Sequence, residues 1–371
     1  MKRIIIFGTG STSKVVKSGL KDDVNIICYC DNDKNKWNKI YEGRKIIEPY
    51  KINEMEFDYL LIASQFNESI YKQLLELGID YNKIFQFFKY VDSHCNYIKN
   101  DLNPLIYFRF TKELIITGIS YIERAINPDL LLKNSTNLAR HSQDLYFGYH
   151  LVKYIIDNYK KDLVKLKYVF IGLSYYSFEY DMSLSAMKGK VHLYYEAIGK
   201  KHNLLDINEY IKVNKISENI AKNVFNLDKD GYPKVNWFHD ESFNYNSNSI
   251  CNINEEIGKK QALLDGNKNY PETVKENIQI FKDYLKLLKD NNIKPIVIIC
   301  PVSKYYSKYF PQRLKDEFQN IIKETKKEYD FQIIDCFDSY KLNEDDFFDV
   351  SHLNSKGAEN FTNMLNKIVE W

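Results

Sequence analysis

Short apolar runs that end in a turn and give way to an amphipathic stretch constrain this chain most strongly. Ile4–Phe7 closes at Gly8-Thr9-Gly10, and a helix-compatible stretch follows from about Ser13 to Leu20. Val24–Tyr29 and Tyr59–Ala63 repeat the pattern, the latter followed by a helical period over Glu68–Leu77. Strand–helix–strand alternation implies parallel strands joined by right-handed crossovers. A linker is expected near Tyr97–Pro104. The pattern then restarts, with strands at Glu113–Thr117, Tyr168–Ile171, Pro295–Cys300 and Phe331–Ile334. Helices are expected at Gln143–Asn158, Glu272–Asp290, Gln312–Lys326 and Ser355–Val369. The fold class read from this is α/β, two three-layer parallel-sheet domains covering 1–95 and 105–371. A length of 371 residues suits that division. The stretch from about 175 to 270 is rich in Asn, Ser, Tyr and Lys and has weak periodicity, with helix readable only near Ser217–Asn226. A structureless loop of that length is foreign to a compact domain. It is expected to be an insertion in the second domain: a lid, a helical insertion or a substrate-facing subdomain.

Charge excludes one class of partner. Lys+Arg 52 against Asp+Glu 50 leaves a net charge of +2, without the positive excess of a dedicated nucleic-acid binder. No run approaches the 18 or so apolar residues of a membrane span, and the apolar part of the N-terminus is too short and glycine-broken for a signal peptide. Four of the six cysteines, Cys28, Cys30, Cys300 and Cys336, lie in or beside strand-like runs, where thiols behave as small hydrophobes. No paired Cys/His spacing suggests a zinc site, so no metal is expected. Reduced thiols without an export signal point to a cytoplasmic protein.

Two turns carry candidate chemistry. In the first, Gly8, Gly10 and Ser11 sit between a strand and a helix, where glycines let the backbone approach a phosphate and the helix N-terminus supplies N–H donors. Asp31, at the end of the second strand, could accept a ribose hydroxyl. The competing reading is that the glycines only make the turn and Asp31 opens a loop. This segment, through IIIFGTGSTSK, YCDNDKNKW and DYLLIAS, resembles the small Rossmann-like domains that precede bacterial sugar-modifying enzymes, such as nucleotide-sugar acyltransferases. The resemblance implies a nucleotide or nucleotide-linked sugar lined by Gly8, Gly10 and Asp31.

In the second turn, Gly118-Ile119-Ser120 ends a strand and could present a serine at the carboxyl edge of the sheet, where open α/β folds bind ligands. Serine needs a base oriented by a third group. Asp349 and His352, in Asp-x-x-His just before the last helix, supply one, although helix capping alone would also explain that spacing. The order resembles the SGNH (GDSL-type) hydrolase and acyltransferase superfamily, which has a flavodoxin-like fold, with Ile119 where Asp is usual. Within it the chain resembles the branch of the teichoic-acid D-alanyl transfer protein, whose members share a serine turn, a long insertion and a terminal Asp-x-x-His and are usually membrane-tethered. The resemblance implies Ser120 as nucleophile, His352 as base and Asp349 as orienter. It also implies oxyanion or pocket residues among Gly172, Ser174, Asn137, Ser142 and Tyr175, with Ser174 standing where the family has Asn.

His141, the Trp237–Asp240 cluster, the Tyr175-Tyr176 and Tyr305-Tyr306 pairs and Cys300 are weaker candidates, each with an ordinary structural explanation. The leading reading is a serine esterase or O-acyltransferase acting on a sugar or glycan, requiring no cofactor for the ester chemistry. Its partners would be a small-molecule or glycan substrate and glycan-biosynthesis enzymes. Two alternatives stay open: an inactive SGNH-like binding or scaffold protein, and a nucleotide-dependent oxidoreductase using residues 1–90.

Overall fold

The computed structural model describes residues 1–94, 96–107, 111–159, 163–229, 231–236, 253–267, 271–338 and 342–371. The chain forms two compact units, each an α/β domain built on a largely parallel sheet.

The first unit comprises residues 1–100 and 186–239. Its elements are β1 (Lys2–Phe7), α1 (Ser11–Ser18), β2 (Val24–Cys30), β3 (Ile40–Tyr41), β4 (Arg44–Ile47), β5 (Tyr59–Ile62), α2 (Asn67–Glu76), β6 (Ile84–Gln86) and α3 (Phe87–His94), followed by α4 (Tyr97–Tyr107). The strand order is β3-β4-β2-β1-β5-β6, and only β3 runs antiparallel to its neighbour. Side chains alternate across a strand, and β1 shows why this one is buried on both faces. Ile4 and Ile6 enter one core with Val15, Val16 and Phe85, while Ile5 and Phe7 enter another with Leu60, Ile62, Ile70 and Leu74. The expected linker at Tyr97–Pro104 is helical, because α4 continues through it.

The second unit comprises residues 101–185 and 240–371. It contains β7 (Leu114–Gly118), α5 (Ser120–Ala125), β8 (Ser135–Asn137), α6 (Leu145–Tyr159) and β9 (Tyr168–Leu173). After the segment that joins the first unit come α9 (Glu255–Gly266), α10 (Pro271–Asp290), β10 (Lys294–Ile299), α11 (Lys304–Ser307), α12 (Gln312–Thr325), β11 (Gln332–Asp335) and α13 (Ser355–Ile368). All five strands are parallel, in the order β11-β10-β9-β7-β8. Counted within the unit this is the 2-1-3-4-5 order of flavodoxin-like sheets. Helices α6 and α10 pack on one another and on β7 and β10, while α5 packs with α13 against β7 and β9.

The excursion at 175–270 is not one insertion in the second unit. Residues 186–239 belong to the first unit and carry α7 (Val191–Ile198) and α8 (Ile207–Val224). The cause is apolar: Ile220, Ala221, Val224 and Phe225 are fully buried in the core that contains Ile4, Ile6 and Phe85. Helix α8 supplies cover to one face of the first sheet, which its local sequence could not provide. Residues 175–185 and α9 remain with the second unit.

Candidate active site

In an open parallel sheet the ligand crevice opens at the carboxyl ends of the strands, where the connection order reverses. In the second unit that point lies between β7 and β9. Strand β7 runs into Gly118, which has φ +130° and stands level with Gly172 of β9. A Cβ on Gly118 would lie 2.2 Å from the Gly172 carbonyl oxygen, so both its conformation and its space require glycine. Gln143 holds the turn: its side-chain oxygen accepts from the Gly118 N–H at 2.8 Å, and its amide nitrogen donates to the Leu138 carbonyl at 2.9 Å. Ile119 is the N-cap of α5, and Ser120 is the first helical residue. At Gly172 a Cβ would meet Ile122 of α5 at 2.2 Å, so its absence lets α5 press onto β9.

Ser120 Oγ lies 2.8 Å from His352 Nε2. On the other edge of the imidazole, Nδ1 lies 2.9 Å and 3.0 Å from the two carboxylate oxygens of Asp349. Asp349 Oδ1 also accepts from the backbone N–H groups of Ser351 at 2.8 Å and His352 at 2.9 Å. The three-residue spacing closes a turn in which the carboxylate captures both its own backbone and the ring. Ser351 Oγ adds a contact to Nδ1 at 3.2 Å. The Asp349 carboxyl sits well below the usual carboxylate range. Burial opposes this, but it is outweighed by the charge and hydrogen bond of His352, the Ser351 N–H and nearby Arg124. The arrangement sets a serine hydroxyl within hydrogen-bond reach of an imidazole and an ionised carboxylate on the other edge of the ring, the geometry that activation of a serine requires.

The remaining residues separate into two groups. Ser174 follows β9 directly; its hydroxyl is buried and has no hydrogen-bond partner, and its N–H donates to Ser177 Oγ at 2.8 Å. Asn137 is occupied with structure instead: its amide donates to the Glu123 carbonyl at 3.2 Å and its oxygen accepts from the Ala139 N–H at 3.0 Å. Ser142 makes a tight turn at φ +65° and its carbonyl accepts from the Tyr180 hydroxyl at 3.2 Å. Tyr175 is not a pocket residue. It is buried among Phe310, Phe318 and Phe337, with its hydroxyl donating to Asp335 at 2.6 Å. Asn137, Ser142 and Tyr175 thus serve the fold.

The next tyrosine in the sequence does approach the site. Tyr176, together with Tyr121 and Tyr306, forms a buried group beside His352, with the Tyr121 ring 5.2 Å from the imidazole. Reading the chain for motifs misses Tyr121, Ser351 and Asp265, since no periodicity distinguishes them. Adjacency to Ser120 and His352 was the only signal available for the first two. His141 is paired with Glu123 of α5. The Cys300 thiol is pushed far up by burial, beside Cys336, which suits a core residue. Trp237, Phe238, His239 and Asp240 lie outside the described residues.

In the first unit the reversal of strand order falls between β1 and β5. Gly8 has φ +112°, and a Cβ there would lie 2.6 Å from the Ala63 carbonyl oxygen, so the turn itself requires this glycine. Gly10, the N-cap of α1, differs: a Cβ there would meet open space. Ser11 is the first, exposed residue of α1. Asp31 is held by this chain's own groups. Its carboxylate accepts from the Thr9 hydroxyl, from the Thr9 N–H at 3.2 Å, from Lys36 Nζ at 3.0 Å and from the Asp33 N–H at 2.9 Å. Burial raises its pKa, but these bonds together bring it below the ordinary value. Its stabilisation is therefore present above the usual carboxylate pKa and lost as pH falls through the folded value. Asp31→Asn is expected to destabilise the chain by about 1–3 kcal/mol at neutral pH, with the deficit shrinking in acid. Thermal melting with no ligand added, across pH, measures both.

Residues 245–369 match the family model described as DltD protein, a stretch that contains Asp349 and His352 but not Ser120. Residues 1–85 match the family model described as C2185-like, N-terminal. Among solved structures, a candidate acylhydrolase from Bacteroides fragilis is similar at 12% identity and a TM-score of 0.30, covering 68% of this chain and 84% of its own. No curated protein matches the chain. Among the described residues, no helix is long and apolar enough to cross a membrane.

Proposed function

We propose that this protein is a serine-dependent esterase or O-acyltransferase whose substrate is an O-acylated sugar or glycan. The observation that carries the reading is the 2.8 Å contact of Ser120 Oγ with His352 Nε2, with Asp349 on the opposite ring nitrogen. In this mechanism Ser120 attacks the acyl carbonyl while His352 Nε2 takes its proton. The C–O bond to the leaving alcohol breaks, and His352 returns the proton to that oxygen. Water or a sugar hydroxyl then takes the acyl group from Ser120 by the same steps in reverse. The Ser120 N–H, which has no acceptor within the first turn of its helix, and the buried Ser174 hydroxyl are the donors assigned to the developing oxyanion. A fluorophosphonate probe tests the reading, since it reacts with a base-activated serine. Mass spectrometry should place the adduct on Ser120, and no adduct on that peptide would overturn the assignment.

The hydrogen-bonded triad supports chemistry over the scaffold reading. In the first unit, a nucleotide-linked sugar is proposed at the Gly8–Ser11 turn, supported by the unfilled space at Gly10 beside a helix N-terminus. A nucleoside diphosphate sugar should raise the melting temperature of the full chain, and Gly10→Val should abolish the rise. An equal shift in the variant would remove the site. A cytoplasmic setting is proposed from the cysteines, with Cys28, Cys30 and Cys300 free and buried.

A further inference from the structure

We infer that Tyr121 is a positioning residue for His352 and is itself held in place by the buried carboxylate of Asp265; this rests on the serine mechanism proposed above. His352 is anchored through its two ring nitrogens, by Asp349 and Ser351 on one edge and Ser120 on the other. Bonds in the ring plane leave the tilt of the imidazole about that axis poorly restrained. The Tyr121 ring supplies the missing contact, with its centroid 5.2 Å from the imidazole and the planes inclined at 49°. Tyr121 follows Ser120 directly on α5, so the wall against the base and the nucleophile are carried by the same helical turn.

Tyr121 is fixed at its far end. Asp265 accepts from Tyr306 Oη at 2.9 Å, from Tyr121 Oη at 3.3 Å and from Gln261 Nε2 at 3.0 Å. The two phenol oxygens are 3.1 Å apart. Tyr121, Tyr306 and Asp265 are all buried, and they come from α5, α11 and α9. Burial first, and then Asp265, pushes the Tyr121 and Tyr306 hydroxyls far up, which keeps both protonated as donors. A core that needed only volume at position 121 would be filled at least as well by Phe or Leu. A carboxylate and phenols taken out of water cost free energy unless paired. Here the pairing is complete enough to hold a ring, and that ring lies against the base. Asp265 meets Tyr121 at its hydroxyl, and its effect on the imidazole is exerted through that ring.

The test uses the full chain and three variants: Tyr121→Leu, which removes the ring; Tyr121→Phe, which keeps the ring and removes its tether; and Asp265→Asn. Two quantities are read, the kinetics on an aryl acetate and the downfield proton resonance of the His352–Asp349 hydrogen bond. Tyr121→Leu should lower kcat by about tenfold to a hundredfold with KM changed by less than about twofold, as expected for a misplaced group that does not bind substrate. Its downfield resonance should shift or broaden. The other two should move both readouts the same way by less. A folded Tyr121→Leu with the parent's kcat and resonance overturns the inference. Should that variant not fold, an unchanged resonance in both Tyr121→Phe and Asp265→Asn overturns it equally. Ser120→Ala separates this from the parent reading. If it retains full activity, the serine mechanism fails, yet the resonance still reports whether Tyr121 restrains His352.

Discussion

Ser120→Ala is expected to lower ester cleavage by a factor of about 10⁴ or more, leaving KM close to that of the parent. The size follows from what is removed. Without Oγ no acyl-enzyme forms, and His352 can only assist direct attack by water on a carbonyl still held by the remaining donors. Residual catalysis of that kind is typically about 10³–10⁴ over the uncatalysed reaction. The contact replaced is a 2.8 Å hydrogen bond at a half-buried helix start, so the fold should tolerate the loss. The measurement is steady-state kinetics on an aryl acetate, with the fluorophosphonate adduct as a second readout. A variant that cleaves the ester at the parent's rate would place the chemistry elsewhere.

Asp349→Asn should be nearly as damaging, by a factor of about 10⁴ in kcat. An amide of the same shape can face Nδ1 with its NH₂ and hold the ring in the tautomer that puts the proton on Nε2. Nε2 then cannot accept the proton of Ser120. The carboxylate also stabilises the cation that forms when His352 takes that proton. Because the Asp349 carboxyl is held well below the ordinary value, it stays ionised throughout the mildly acid range, and its protonation should not limit activity there. The sign for stability is that of a depressed acid: its contribution is complete above the unfolded value of about 3.9 and is lost as pH falls through the folded one. The difference in melting temperature between the parent and Asp349→Asn should therefore be constant at neutral pH and shrink in strong acid. A difference that grew with acidity would contradict the assigned charge.

Much of this architecture was legible in the chain because the signals are local. Ile4–Phe7, Tyr168–Ile171 and Pro295–Cys300 read as buried strands, and the structure has strands at Lys2–Phe7, Tyr168–Leu173 and Lys294–Ile299. Glycine at 118 marked a turn because only a residue without Cβ fits at φ +130° against the Gly172 carbonyl. Asp349 and His352 were legible because three residues is the span over which a carboxylate can reach both the backbone and the ring of the same turn. Strands whose partners are set by neighbours were less visible. The edge strands β3 and β6, and β4 beside β3, are short, and much of their stability comes from the sheet they join.

By itself the sequence determined the longer core strands and helices, where the turns that need glycine fall, and the local Gly-x-Ser and Asp-x-x-His spacings. Those properties depend on residues within one or two turns of each other. Tertiary structure alone decided which sheet a helix covers and which polar groups meet. The helical period near Ser217–Asn226 is local, but only packing sends Ile220, Val224 and Phe225 to the first sheet. Tyr175 and Tyr176 are neighbours of identical chemistry, yet one joins a phenylalanine core and the other the tyrosines beside His352. Asp265 lies 144 residues from Tyr121 along the chain, and their 3.3 Å contact exists only because α9 and α5 fold onto one another's ends. Hydrophobic burial is non-directional, so a local pattern states that a face will be covered and leaves the covering partner to the fold.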